Sequence, residues 1–118
     1  MRNYRIALGD IAQAILRIER FVGEMDREHF LRDDKTQAAV LWELITIGEA
    51  AKNIPEPIRR EHPNVPWRQM TATRDFLAHG YYRVEAAIIW DIIIKDLPEL
   101  KERIRLMEVR LESSTGAE

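Results

Sequence analysis

The chain has 118 residues, a formal net charge of −2 and no cysteine. One domain of this length buries enough surface to form a core without disulfides. The lack of cysteine excludes a thiolate nucleophile and a sulfur metal site, and it suits a reducing cytoplasm. The near-zero charge excludes a basic field over the whole molecule of the kind that many nucleic-acid-binding domains carry.

No apolar run approaches the roughly 20 residues that a membrane span requires. The first residues lead directly into an amphipathic segment rather than into the apolar core of a signal peptide. We therefore expect a cytoplasmic protein that does not associate with membranes. The three histidines are far apart and show no paired ligand spacing, and no glycine loop could cradle a phosphate. We expect neither a metal nor a cofactor.

The first half of the chain predicts two long helices. Apolar residues recur every three or four positions from Tyr4 to Val22, and Gly23 is a natural residue to end that helix. After a charged stretch with a short turn at 28–31, Asp34 and Gln37 resemble a capping box that opens the second helix, which runs to about residue 53. Its main apolar stripe comprises Val40, Leu44, Ile47, Ala51 and Ile54.

A second, shorter stripe on the same helix ends in a carboxylate. It comprises Ala38, Trp42, Ile45 and Glu49. Gly48 beside Glu49 weakens the helix but allows another backbone to approach closely. Two apolar faces predict a helix that is contacted from two sides.

The second half of the chain predicts three more helical segments. Residues 55–66 form a proline-rich connection with one helical turn at 56–61. The next helix begins at Pro66-Trp67 and ends at Gly80. Residues 84–97 are too long for one strand, and their apolar side chains cover about 240° of a helical wheel. Such a helix is either central in its own domain or shared with a second subunit.

The C-terminal region completes the predicted fold. Pro98 kinks or breaks the helix after Leu97, with Asp96 as a candidate cap for a last helix that carries the apolar residues from 100 to 111. We predict an all-α fold, an antiparallel bundle of four to five helices. The single domain spans residues 1–112, and residues 113–118 form a frayed tail.

The titratable residues concentrate at the end of the helix that precedes Gly80. Asp75 and His79 are four residues apart and share one ridge, and the long side chain of Arg74 can bend toward them. This group is either an acid/base site or a helix end at which the histidine binds carbonyl groups. Between Pro66 and residue 83, three arginines (68, 74 and 83) and one acid form a local cationic patch.

The other conspicuous residues have ordinary interpretations. Glu49 pairs with a backbone donor or an arginine, or it takes part in catalysis. Trp42, Trp67 and Trp90 are residues of the core or of a subunit interface. Tyr81 and Tyr82 are half-buried packing residues beyond the helix end.

Four motifs in order resemble one protein family. Arg74, four residues, His79, one residue and Tyr81 match the Arg-x4-His-x-Tyr pattern of HEPN-domain ribonucleases. Around it, residues 47–50 (Ile-Gly-Glu-Ala), His62-Pro63 followed by Pro66-Trp67, and Leu97-Pro98 resemble the HepT toxin branch. The resemblance covers nearly the whole chain.

This resemblance implies a homodimeric, HEPN-like ribonuclease that cleaves RNA without metal at a composite site in the dimer cleft. His79 handles the proton of the 2′-hydroxyl or of the leaving oxygen, and Arg74 holds the scissile phosphate. Asp75 matches the polar residue that the family usually has after the arginine, where asparagine is common. As an aspartate it either orients His79 or discourages RNA. Arg68, Tyr82 and Arg83 are candidate RNA contacts, and Glu49 and Asp75 are supporting residues. Together with Arg74 and His79 they make up the predicted site.

The resemblance also implies a partner. Toxins of this type VII toxin–antitoxin class are neutralised by a small nucleotidyltransferase antitoxin of the MntA type, which adds AMP to the motif tyrosine, here Tyr81. The added charge and bulk would stand where an RNA phosphate must bind. Two alternatives remain open: a non-catalytic HEPN-like module that binds a nucleotide or a partner protein beside a nucleotidyltransferase, and a plain dimerisation scaffold.

Overall fold

The computed structural model describes residues 3–80 and 84–116, and the regular structure in these two stretches is entirely helical. The predicted all-α class is therefore confirmed. The helices are α1 Tyr4–Val22, α2 Arg27–Leu31, α3 Asp34–Lys52, α4 Glu56–Glu61, α5 Trp67–Gly80, α6 Ala86–Asp91 and α7 Leu97–Gly116. A π-helical segment, Ile92–Asp96, joins α6 to α7.

Helix α3 organises the packing, because both α1 and α5 lie against it. Helix α7 packs on α1, and the short helix α2 packs on α3 and α6. The Phe30 ring of α2 is fully buried, and its centroid lies 5.3 Å from that of Trp90 on α6. One continuous core therefore connects the N-terminal helices to the C-terminal helical run.

The first helix has the predicted bounds, and local chemistry fixes both ends. The Asn3 side chain accepts a hydrogen bond from the Arg5 amide at 2.9 Å, which satisfies one free donor at the N-terminus. Gly23 has a φ of 54° and donates its amide to the Glu19 carbonyl. Glycine adopts this left-handed conformation without strain, so the chain turns away at this residue.

The start of α3 differs from the prediction by one residue. Asp33, not Asp34, is the N-cap, and its carboxylate accepts the amide of Thr36 at 2.9 Å. Gln37 does not complete a capping box, because its side-chain amide donates to the Phe30 carbonyl at 2.8 Å. Adjacent aspartates offer two alternative caps, and the tertiary contact of Gln37 with α2 selects the first.

Of the two predicted effects of Pro98, a break is wrong, because helical residues continue through it, and the predicted cap at Asp96 is also wrong. Asp96 lies inside the π-helical segment, and the Leu97 amide donates to the carbonyl of Ile92, five residues earlier. Proline lacks an amide hydrogen and its ring crowds the carbonyl four residues before it, here that of Ile94. A wider turn immediately before Pro98 relieves this crowding, so the helical run continues into α7. Helix α7 reaches Gly116 and thus includes residues of the predicted frayed tail.

The contact between α3 and α5 is close because Gly48 has no side chain. A Cβ atom added at Gly48 would overlap Arg74 Cβ and would lie 2.8 Å from both Arg74 Cγ and the Met70 carbonyl oxygen. Both distances are shorter than van der Waals contact. The aliphatic part of Arg74 therefore occupies the space that a side chain on α3 would fill.

We predict that Gly48→Ala destabilises the fold. The clash of the new methyl group with Arg74 and the Met70 backbone costs roughly 1–3 kcal/mol, which outweighs the gain in helix propensity. Urea unfolding followed by circular dichroism measures the change. Gly9→Ala in α1 is the matched control, because a Cβ there meets no atom within 4 Å and should stabilise the protein by up to about 1 kcal/mol. Equal effects of the two substitutions would contradict the packing role of Gly48.

Candidate functional site

Four charged side chains meet where α5 crosses α3. Helix α5 contributes Arg74 and Asp75, and helix α3 contributes Glu49 and Lys52. We call these four residues the Arg74 cluster. The close approach at Gly48 brings the two helices near enough for the charged groups to pair directly.

Arg74 lies between two carboxylates. Its Nη1 donates to Asp75 Oδ1 at 3.0 Å, and its Nε is in ion-pair contact with Glu49 Oε1. Nε is buried, and its contact with the Glu49 carboxylate is an ion pair. The Arg74 side chain is 25% exposed, which leaves part of the guanidinium accessible from the surface. The structure thus gives Glu49 one of its two predicted partners, an arginine.

Asp75 is held by two cations through one oxygen. Lys52 Nζ donates to Asp75 Oδ1 at 2.7 Å, and Arg74 Nη1 reaches the same oxygen. The hydrogen bond from Lys52, followed by that from Arg74, holds the pKa of the Asp75 carboxyl below its usual range. The carboxylate therefore stays charged at neutral pH and keeps both cations in place.

His79 is oriented by the backbone rather than by the Asp75 carboxylate. Its ring Nδ1 lies 2.7 Å from the carbonyl oxygen of Asp75, one helical turn earlier. A carbonyl oxygen only accepts hydrogen bonds, so Nδ1 carries a hydrogen, and Nε2 is the unprotonated nitrogen of the neutral ring. The residue is exposed, so Nε2 can accept a proton from a molecule at the surface.

The predicted carboxylate contact between Asp75 and His79 is therefore absent from the described part of the chain. The i, i+4 spacing placed the two residues correctly on one ridge, but the carboxylate turns to Lys52 and Arg74. The contact that the His79 ring makes with Asp75 is to the main-chain carbonyl oxygen, which any residue at this position would supply.

The remaining predicted site residues are spread along or beyond α5. Arg68 is exposed in the first turns of the helix. Tyr81, Tyr82 and Arg83 lie outside the described residues. Lys52 is the site residue that the sequence analysis missed. Its position three residues after Glu49 is a common spacing on any helix surface, and only the packing of α5 on α3 shows that Asp75 is its partner.

The three tryptophans have different environments. Trp67 is buried, and its indole nitrogen donates to the His62 carbonyl at 3.0 Å. Trp90 packs against Phe30 in the core. Trp42, in contrast, is 68% exposed on α3, two turns before Glu49 on the same face. The second apolar stripe of α3 is therefore open at Ala38 and Trp42, whereas Ile45 packs against the core, and the stripe ends at Glu49 of the Arg74 cluster.

The side chains of the Arg74 cluster are between 25% and 51% exposed. A cavity of about 160 Å³ lies elsewhere, among residues of α3, α5, α7 and the π-helical segment that include Met70, Thr73 and Leu100. Thr73 and Asp75 lie on opposite sides of Arg74 by the helical period, so this cavity faces away from the Lys52–Asp75 edge.

Within residues 3–80 and 84–116, no three His, Cys, Asp or Glu side chains come together in a group that could hold a metal ion. No helix in the same stretches is long and apolar enough to cross a membrane.

Comparison with known proteins gives a consistent result. Residues 11–107 match the family model described as ribonuclease HepT-like. A probable ribonuclease HepT of Thermococcus cleftensis is 47% identical over 100 residues, which cover 85% of this chain and 91% of that protein. A putative RNase of Methanocaldococcus jannaschii is 40% identical over 117 residues, covering 96% of this chain and 97% of its own length.

A putative RNase of Caldanaerobacter subterraneus is also 40% identical, over 88 residues that cover 75% of this chain and 78% of that protein. No solved structure was found to match the chain. The family model spans most of the helical domain, including α3, α5 and the whole Arg74 cluster. The predicted resemblance and the predicted ribonuclease class are confirmed: the chain belongs to the HepT-like ribonuclease family.

Proposed function

We propose that this protein is a metal-independent endoribonuclease toxin that acts in the cytoplasm, with Arg74 and His79 as its catalytic residues. The observation that carries the proposal is the orientation of His79, whose Nδ1 is bound to the Asp75 carbonyl so that Nε2 is the basic nitrogen. A neutral imidazole held in this way suits general base catalysis. The partly exposed guanidinium of Arg74 on the same helix supplies a charge for a phosphate.

The reaction follows from these two groups. His79 Nε2 accepts the proton of an RNA 2′-hydroxyl, whose oxygen attacks the adjacent phosphorus atom. The bond from phosphorus to the 5′-oxygen breaks, and that oxygen needs a proton as it leaves. Arg74 stabilises the charge that develops on the phosphorane oxygens. A 2′,3′-cyclic phosphate and a 5′-hydroxyl end are the products.

One protomer supplies one imidazole, whereas this reaction requires an acid and a base. A two-fold dimer that brings two copies of α5 together would provide both, because each copy carries its own His79. Arg68, Tyr82 and Arg83 would then contact neighbouring nucleotides on either side of the cut. Their side chains offer phosphate pairing and base stacking.

The leading alternative is a non-catalytic module that binds a nucleotide or a partner protein beside a nucleotidyltransferase. One observation favours it: Arg74 is already paired with the two carboxylates of Glu49 and Asp75. A phosphate must displace one of them before it can bind the guanidinium closely. Turnover of RNA distinguishes the two functions, because the alternative binds through the same residues without cleaving.

We predict that Arg74→Ala and His79→Ala each reduce RNA cleavage by at least about 10²-fold, the usual magnitude for a lost acid/base or charge-stabilising group. Gel analysis of a labelled RNA measures the rate, with and without EDTA. Arg105→Ala and His29→Ala are matched controls, because each residue is an exposed arginine or histidine on another helix and pairs with a carboxylate three residues away in the sequence. Cleavage that survives both α5 substitutions, or that stops in EDTA, would contradict the proposed mechanism.

We also propose that the open stripe of α3 forms the dimer interface. The exposed Trp42 indole lies on the face that leads to Glu49, and large aromatic side chains contribute strongly to protein interfaces. Burial of this face against a second copy would bring two Arg74 clusters toward one cleft.

We predict that Trp42→Glu converts a dimer into monomers, because it removes the indole and places two like charges across the two-fold axis. Size-exclusion chromatography with light scattering measures the mass, and the same samples should lose RNA cleavage. Leu106→Glu, at a position 52% exposed on α7, is the control and should remain dimeric. A dimer that tolerates Trp42→Glu would place the interface elsewhere.

We propose that a nucleotidyltransferase antitoxin of the MntA type neutralises this toxin by adding AMP to Tyr81. The Tyr81 oxygen would attack the α-phosphorus of a nucleoside triphosphate, and pyrophosphate would leave. The support is the sequence spacing: Tyr81 follows His79 by two residues, so the added phosphate would repel the RNA phosphate at the same helix end.

We predict that co-expression with the nucleotidyltransferase increases the mass of the protein by one or more AMP units and stops RNA cleavage. Intact-mass spectrometry and peptide mapping locate the modification. Tyr81→Phe should remain unmodified and active in the presence of the antitoxin, whereas Tyr82→Phe, the adjacent control, should still be modified. Modification of Tyr82, or of neither tyrosine, would contradict this assignment.

A further inference from the structure

Lys52 on α3 forms an ion pair with Asp75 on α5, across the interface between the two helices. Its Nζ lies 2.7 Å from Asp75 Oδ1, and the two side chains are 40% and 51% exposed. The bridge joins α3 to α5 at the position where Arg74 meets the same carboxylate oxygen. Lys52 is therefore the third charged side chain near the Arg74 guanidinium, besides Glu49 and Asp75.

The charges of the Arg74 cluster cancel only because Lys52 is present. Arg74 and Lys52 are positive, and Glu49 and Asp75 are negative. Without Lys52, one guanidinium would lie between two carboxylates, and the cluster would carry a net negative charge. An incoming phosphate would then be repelled at the residue that has to bind it.

Because Lys52 and Arg74 share one oxygen of Asp75, the charge that Lys52 supplies acts on Arg74 in particular. Both cations bind Oδ1, Lys52 at 2.7 Å and Arg74 Nη1 at 3.0 Å. When a phosphate draws Nη1 away, Asp75 keeps a cationic partner, so the release of Arg74 leaves no unpaired carboxylate beside the RNA. In a chain without Lys52, Asp75 would depend on Arg74 alone and would compete with the substrate.

We infer that Lys52 is a positioning residue that neutralises Asp75 and thereby frees Arg74 to bind an RNA phosphate. This inference rests on the proposed ribonuclease function. Lys52 acts through Asp75 in this scheme and does not touch the substrate. Its removal should therefore weaken substrate binding only while Asp75 remains charged.

The experiment compares Lys52→Gln, Asp75→Asn and the double variant with the wild-type protein. The rate of RNA cleavage gives KM and kcat, and the affinity for an uncleavable RNA with a 2′-deoxy cut site is measured over a range of salt concentrations. A ¹³C titration of the Asp75 carboxyl reports directly on the bridge. Lys101→Gln is the matched control, since Lys101 forms a similarly exposed interhelical bridge, with Glu19 at 3.0 Å, away from α5.

We expect Lys52→Gln to raise KM by up to about fivefold with little change in kcat, the size of effect produced by the loss of one exposed ion pair. In the Asp75→Asn background the same substitution should change KM by less than about twofold, because coupled neighbours give non-additive effects. The Asp75 pKa should rise in Lys52→Gln, since the hydrogen bond from Lys52 is the main cause of its lowered value. Lys52→Arg should restore KM, and Lys101→Gln should leave it unchanged.

Three results would overturn the inference. If Lys52→Gln is equally harmful in the Asp75→Asn background and lowers the salt dependence by about one phosphate contact, Lys52 binds RNA directly. If Lys101→Gln raises KM as much as Lys52→Gln does, the effect reflects general helix packing. If the wild-type protein is active and Lys52→Gln leaves KM unchanged, the inference about Lys52 is rejected and the proposed function stands. If the wild-type protein shows no turnover, the ribonuclease proposal itself is rejected.

Discussion

The placement of Arg74 across Gly48 is the constraint on which the site depends. The arginine stem fills the space above the glycine, so the backbones of α3 and α5 approach closely at that point. Glu49 and Lys52 then face the helix that carries Arg74 and Asp75. One missing side chain on α3 thus determines both the packing of the domain and the charge pattern at its surface.

Helix geometry also sets the chemistry of the imidazole. His79 needs no separate side-chain partner for orientation, because the carbonyl of Asp75 one turn earlier fixes Nδ1. The Asp75 carboxylate is then available for Lys52 and Arg74. A single residue therefore binds the imidazole through its backbone and the guanidinium through its side chain. Under the proposed function, this division explains how an aspartate can stand between Arg74 and His79.

The sequence predicted features that arise within one helix and failed where two helices decide the outcome. Spacing alone placed Arg74, Asp75 and His79 on the end of α5. It could not identify Lys52 as a site residue, because the partner of Lys52 lies 23 residues away on α5. The cap of α3 and the continuous helix at Pro98 were missed for related reasons. The contact of Gln37 with α2 selects the cap. A π-helical turn accommodates the proline, and no residue pattern in the sequence predicts that turn.

Two features of the protomer support the proposed dimer: exposed apolar surface, and a site to which each chain brings one imidazole, that of His79. The apolar arc of α6 and the π-helical segment is only partly used, since Ile89 and Ile93 are buried while Ile88 and Ile94 are 40% and 52% exposed. Trp42 is uncovered on α3 beside the Arg74 cluster. Exposed apolar side chains mark interaction surfaces where they join into one contiguous patch. A second copy that covers the Trp42 face would bury apolar surface and supply the second proton-transfer group in one step, so assembly and catalysis would depend on the same helix.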